Sequence, residues 1–168
     1  YYCMSLEQLK KKISKNTKAV ILVHMGGMIS PDALRIQEFC KKNNIILIED
    51  AAHAIGASVN GIFAGNIGDI GCFSFYPTKI ITTAEGGMLV TSSKKMFEKA
   101  NSFRNRGRDM KAKGEVYSRL GSNNRMTEIA ALLGISQMRC LDIILEKRRN
   151  IANLYDENIQ LSDLSNLV

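Results

Sequence analysis

The chain has 168 residues, of which 45% are apolar and 23% charged, a composition that suits one globular core and excludes a wholly disordered polypeptide. No apolar run approaches the roughly 18 residues of a membrane span, and the start lacks the basic, apolar and small-residue pattern of a signal peptide, so a cytoplasmic protein is expected. The net charge of +7 is local: residues 94–119 carry nine Lys/Arg against three Asp/Glu, and this suits either a solvated helix and loop or a steering patch for an anionic ligand.

In chain order, Ser5 followed by Gln8 fits a capping box, and Leu6, Leu9 and Ile13 form one apolar stripe, predicting a short helix. "AVILVH" (19–24) is a continuous apolar run rich in β-branched residues, which predicts a strand buried on both faces of a parallel sheet. Gly26 and Gly27 close it. Ser30 and Pro31 supply an N-cap and a first-turn proline for a helix over 31–42, with Leu34, Ile36, Phe39 and Cys40 as apolar positions. "NIILIED" (44–50) is the next buried strand, and the β-α-β unit so formed favours a right-handed parallel crossover. "GNIGDIG" (65–71) looks like a phosphate loop but precedes its strand, whereas a dinucleotide fingerprint follows one, so it reads as turns. Strands over 70–75 and 87–92 and a helix over 93–105 come next, and the class is α/β. From Met126 the apolar spacing is helical for some thirty residues, with Gly134 and Asp142 as candidate interruptions, which predicts one long helix or two consecutive ones. Cys3, Cys40, Cys72 and Cys140 are far apart with no C-x-x-C pair, which points to neither a disulfide framework nor a zinc site. The basic stretch has no recognised nucleic-acid motif, so nucleic acid is not an expected partner.

The residues that invite a chemical explanation are few. Asp50 ends an apolar strand, where ligands of open α/β sheets bind, and Ala51 and Ala52 leave room beside it; the alternative is an N-cap for a helix over "AAHAIGA". His53 shares a face with Asp50 if a helical turn starts there. Lys79 is isolated among apolar and small residues, with Asp69 and Glu85 as its nearest charged neighbours in sequence, and Ser74 lies five residues before it. A lysine amine for a Schiff base, a carboxylate to keep a pyridine nitrogen protonated and a hydroxyl for a phosphate are the groups that pyridoxal phosphate requires.

The stretch "IEDAAHAIGA … GDIGCFSFYPTKIITTAEGGMLVTS", with "GSNNRMTEIAALLGISQM", closely resembles the DegT/DnrJ/EryC1/StrS family of pyridoxal-phosphate-dependent sugar aminotransferases, in register over about 5–155. The resemblance implies a mostly parallel three-layer αβα sandwich, the large domain of the aspartate aminotransferase-like fold type I. It implies that Lys79 is the Schiff-base lysine, that Asp50 pairs with the pyridine nitrogen and that Ser74 binds the cofactor phosphate. His53 takes the place of a glutamine or histidine that contacts the ring. Asn123 matches an asparagine that reaches the phosphate of the neighbouring subunit's cofactor, so a homodimer with a shared active site is implied. Family members move an amino group from an amino acid, typically glutamate, to a keto group of a nucleotide-linked sugar in amino-sugar and polysaccharide biosynthesis. A dehydratase branch carries histidine at the lysine position, and this chain keeps lysine. In "FRNRGR", Arg106 stands where many members have histidine.

The chain resembles the middle of such an enzyme. Residues 1–145 are expected to be part of the cofactor-binding large domain, and 146–168 a helix leading toward an incomplete C-terminal small domain. Two other readings stay open. A nicotinamide-dependent oxidoreductase would use Asp50 for a ribose, but the glycine fingerprint it needs is missing after 19–24. A non-catalytic or truncated relative could serve as a dimerisation or regulatory module, against which stands the joint retention of Lys79, Asp50 and Ser74.

Overall fold

A computed structural model describes residues 2–159 of the chain. Ser5 caps α1 (Leu6–Lys12), its Oγ accepting the Gln8 N–H at 3.2 Å, and Leu6 and Leu9 face inward. β1 (Ala19–Val23) leads through a single 3-10 turn, Met25–Gly27, to α2 (Ala33–Lys42). The helix starts two residues later than the proline predicts. Ser30 still acts at its entrance, accepting the Asp32 N–H at 3.2 Å while donating to the Met4 carbonyl at 2.7 Å. Asn44 turns the chain at a φ of 54°, a conformation asparagine tolerates better than most residues, into β2 (Ile46–Asp50). A small antiparallel ribbon, β3 (Ser58–Val59) with β4 (Ile62–Phe63), precedes β5 (Ile70–Ser74) and β6 (Gly87–Val90).

The main sheet has the order β1-β2-β5-β6, parallel except for β6, which runs antiparallel to β5. This is the expected α/β class with a mostly parallel sheet. One face is closed by α1 and α2: Leu6, Leu9, Ile36 and Cys40 pack against Val20, Leu22 and Leu47. Burying each such aliphatic side chain contributes on the order of 1.5–3 kcal/mol. The expected burial on both faces is not met among the described residues. Along β1 exposure alternates, with Leu22 at 0% and Ile21 at 57%, and Val23 and Ile46 also stay open. The run reads as doubly buried because all its residues are apolar, yet no described element covers the second face.

Ser93 caps α3 (Lys94–Arg104), accepting the Met96 N–H at 3.3 Å. Thr127 caps α4 (Glu128–Arg139), and α5 (Leu141–Asn158) follows directly. The break between them falls at Cys140 rather than at Gly134 or Asp142. Gly134 stays helical because it serves contact instead: a Cβ there would lie 3.0 Å from the Thr83 methyl. The helix predicted from 146 is continuous with α5, and its last expected residues, 160–168, lie outside the described ones. No disulfide forms, and among the described residues no helix is long and apolar enough to cross a membrane.

Candidate cofactor site

Strand register sets the site. Val23, Asp50 and Cys72 are register partners on β1, β2 and β5, so their side chains share the open face near the carboxyl ends of the parallel strands. The segment after Asp50 forms tight turns, not the helix that an N-cap would start. Asp50 Oδ1 accepts the Ala52 N–H at 3.1 Å in an Asx turn, and the Ala51 N–H extends the ladder to the Cys72 carbonyl at 2.8 Å. Burial pushes the Cys72 thiol upward, and the adjacent Asp50 carboxylate adds to the shift. His53 is exposed, and its Nδ1 accepts the Gly26 N–H at 3.3 Å, which ties it to the turn after β1.

Ser74 ends β5, accepting the Tyr76 N–H at 3.3 Å. Lys79 follows in a turn, its N–H bonded to the Tyr76 carbonyl at 3.0 Å. The loop that carries it is closed at its base, where the Phe75 carbonyl accepts both the Thr83 N–H and the Thr82 hydroxyl at 3.0 Å and the Phe75 N–H donates to the Gly86 carbonyl at 2.9 Å. The lysine therefore rises from a braced loop, half-buried, with no ion pair or hydrogen bond to its Nζ among the described residues.

These side chains pass a chemical test for pyridoxal phosphate. Asp50 Oδ2 accepts no hydrogen bond, the Ser74 hydroxyl proton has no acceptor and the Lys79 amine is unengaged among the described residues. A carboxylate, a hydroxyl and an amine with unspent capacity match a pyridinium, a phosphate and an aldehyde. A nicotinamide site fits worse, because the turn after β1 opens no helix there; α2 begins only at Ala33.

Among the described residues Asn123 forms no hydrogen bond with Asp50, His53, Ser74 or Lys79. It sits on an arm, 105–124, that leaves α3 and returns through backbone bridges pairing Asn105 with Asn123 and Arg108 with Tyr117. Its Oδ1 accepts from Arg125 Nε at 2.8 Å. Much of the basic stretch is this arm, where Lys111 pairs with Glu98 at 2.9 Å and the Arg106 guanidinium stands 5.8 Å from the Tyr117 ring centre. A cleft of about 980 Å³, with Thr83, Met88, Arg104, Arg125, Ile129 and Leu133 in its wall, lies between the Lys79 loop, the arm and α4.

Two residues behind the site escape the sequence reading. Glu49 is fully buried on the closed face, its Oε2 2.9 Å from His24 Nε2 and 2.8 Å from the Gly65 nitrogen, its Oε1 2.6 Å from the Gly68 nitrogen. Burial alone would raise its carboxyl, but the bonds from His24, Gly68 and Gly65 outweigh it and the carboxyl lies below its ordinary range. The available signal was a carboxylate and an imidazole at the ends of two adjacent apolar strands. The "GNIGDIG" segment does form turns, and those turns supply Glu49 with its two backbone donors.

The family model of DegT/DnrJ/EryC1/StrS aminotransferases matches residues 1–167. GDP-perosamine synthase of Escherichia coli O157:H7 is 37% identical over 156 residues, covering 93% of this chain and 42% of that protein. Among solved structures, Helicobacter pylori PseC, an aminotransferase involved in the biosynthesis of pseudoaminic acid, superposes with a TM-score of 0.86 at 32% identity, over 92% of this chain and 42% of that one. A putative sugar aminotransferase of Streptococcus pneumoniae in its PLP-form gives a TM-score of 0.80 at 25% identity, over 94% and 45% of the two chains. The chain spans less than half the length of these relatives. Matched along nearly its whole length, and with its strands and turns in the same arrangement, this chain belongs to the DegT/DnrJ/EryC1/StrS aminotransferase family.

Proposed function

We propose that the protein is a pyridoxal-phosphate-dependent aminotransferase that moves an amino group from an amino acid, glutamate by preference, to a keto group of a nucleotide-linked sugar. The observation that carries this reading is the placing of Asp50, Ser74 and Lys79, each with unspent bonding capacity, at the ends of adjacent strands and on the braced loop that follows. The names of the relatives support the substrate class, and the PLP-form of the streptococcal structure supports the cofactor.

Bound pyridoxal phosphate supplies an aldehyde that condenses with amines and a ring that accepts the electrons of a carbanion. Lys79 would offer Nζ as the amine that holds the aldehyde, and as a free amine it would be the base that takes and returns the proton at the reacting carbon. Asp50 would keep the ring nitrogen protonated, His53 would contact the ring, and the Ser74 hydroxyl would donate to the phosphate. Asn123 acts on the phosphate of a second copy, which makes the enzyme a homodimer. Beside the arm that bears Asn123, α4 exposes Ile129, Leu132 and Met138, an apolar surface suited to a partner. Residues 1–145 belong to the large domain and the chain from 146 leads toward a small one.

The test is to load the purified protein with pyridoxal phosphate, record its visible absorption band, reduce it with borohydride and map the modified lysine by mass spectrometry. The adduct is expected on Lys79. An adduct on another lysine removes the assignment, and a protein that never forms the band is a non-catalytic relative.

A further inference from the structure

The Glu49–His24 pair has no part in the roles assigned above, yet it is connected to two of the residues that have one. His24 continues β1 beyond its last strand residue, its N–H donating to the Asp50 carbonyl at 3.0 Å. Its own carbonyl accepts the Gly27 N–H at 3.1 Å, which closes the 25–27 turn. That turn holds His53: the Gly26 N–H reaches His53 Nδ1 at 3.3 Å, and a Cβ on Gly27 would come within 2.8 Å of the His53 carbonyl. The His24 ring is buried, and its Nδ1 has no hydrogen-bond partner among the described residues, so the bond from Nε2 to Glu49 alone orients it. On its other side Glu49 grips the loop at Gly65 and Gly68, which lies against β5: a Cβ on Gly71 would meet Gly65 Cα.

We propose that Glu49 is a positioning residue for the site: its carboxylate on the closed face fixes, through His24 and the 25–27 turn, where His53 stands, and, through the last bonds of β1 and β2, where Asp50 stands. A charge whose three donors come from β1 and from the 65–68 loop locks those segments to β2 in one arrangement. The effect on cofactor binding rests on the pyridoxal phosphate reading, whereas the effect on the backbone does not.

The experiment compares the wild type with Glu49→Gln, which keeps the size but presents an amide N–H where a donor already points. Ile36→Val, a change in the same buried core away from the site, is the control. Hydrogen exchange is measured on cofactor-free protein at the Gly26 and Ala52 amides, neither of which bonds to Glu49, with the α3 amides as an internal reference. Pyridoxal phosphate affinity is titrated by absorbance. Glu49→Gln should speed exchange at Gly26 and Ala52 about tenfold relative to α3 and weaken cofactor binding about tenfold, while Ile36→Val changes neither. If Glu49→Gln does not fold, Glu49→Asp, which retracts the same charge, takes its place with the same readouts. Unchanged exchange at both amides, or equal changes in Ile36→Val, overturns the proposal. A wild type that binds no pyridoxal phosphate removes the proposed function instead, and the exchange data still decide whether Glu49 positions the segment.

Discussion

The two faces of the sheet use neighbouring residues in opposite ways. Glu49 and Asp50 are consecutive carboxylates on one strand, and the alternation of β structure sends them to opposite sides. Glu49 faces α2, is wholly buried, and has three donors on its two oxygens. Asp50 faces the open side beside Cys72 and holds one N–H from its own turn. A buried carboxylate with both oxygens engaged by donors of its own fold is not open to a ligand, and leaving it unpaired would cost several kcal/mol. A half-buried one with a free oxygen at a strand end has that capacity. The closed face therefore holds the fold together, and the open face carries the proposed cofactor site.

The largest effect expected on this contrast is at Lys79. Lys79→Ala should abolish transamination while leaving the closed-face core intact, and arginine should not rescue it, because a guanidinium does not deprotonate to attack a carbonyl. Asn123→Asp should also be inactive, its charge repelling the phosphate of the partner's cofactor. Mixing the two inactive proteins tests whether a second copy completes the open side. Each heterodimer would have one intact site, so random exchange should restore about a quarter of wild-type activity. No recovery once heterodimers are shown by mass spectrometry would mean that the site is built within one chain.

Asp50→Asn comes next. The cofactor should still bind, but single-turnover proton abstraction should slow by roughly 100-fold or more, since the ring nitrogen loses the charge that keeps it protonated. An unchanged rate would reduce Asp50 to the residue that closes its own Asx turn.

Smaller effects separate the faces by stability. Leu22→Ala, at a fully buried position, should cost about 2–5 kcal/mol in urea unfolding, and Ile21→Ala, one residue away and 57% exposed, about 1 kcal/mol or less. Equal costs would show that the open face is covered in solution. The smallest effect concerns acid. Because the folded Glu49 carboxyl lies below its ordinary value of 4.5, its contribution to stability is fully present above that value and is lost as pH falls through the lower, folded one. Stability measured from about pH 6 to about pH 3 should fall more steeply in wild type than in Glu49→Gln, which has no such carboxyl to protonate.

Much of this was legible in the sequence for identifiable reasons. The caps Ser5, Ser93 and Thr127 sit where local chemistry places them, and Ser5 and Ser93 mark helices that spacing alone predicts. Asp50, Ser74 and Lys79 stand out because a polar group at the end of an apolar strand has few structural explanations. What was not legible depends on tertiary context. An all-apolar strand cannot announce which of its faces is covered, so the exposure of Ile21 and Val23 needed coordinates. The glycine inside α4 answers to the close approach of Gly134 to Thr83, a partner 51 positions away that no helical periodicity encodes, and nothing in the spacing marks Cys140 as the break. Asn123 could be tied to the site only through the family resemblance, because no hydrogen bond among the described residues joins it to Asp50, Ser74 or Lys79.

The sheet's two outer strands have a practical consequence for anyone who concentrates this polypeptide. Among the described residues β1 and β6 each pair on one side only, which leaves rows of N–H and C=O groups facing outward. β1, "AVILV", is short, uncharged and largely β-branched, the composition that readily templates another strand, and the charge nearest its start is Lys18. In a concentrated stock, edge-to-edge stacking through β1 is the route to turbidity. A lysine at Ile21, on the exposed side, should delay the rise in light scattering without disturbing the core beneath.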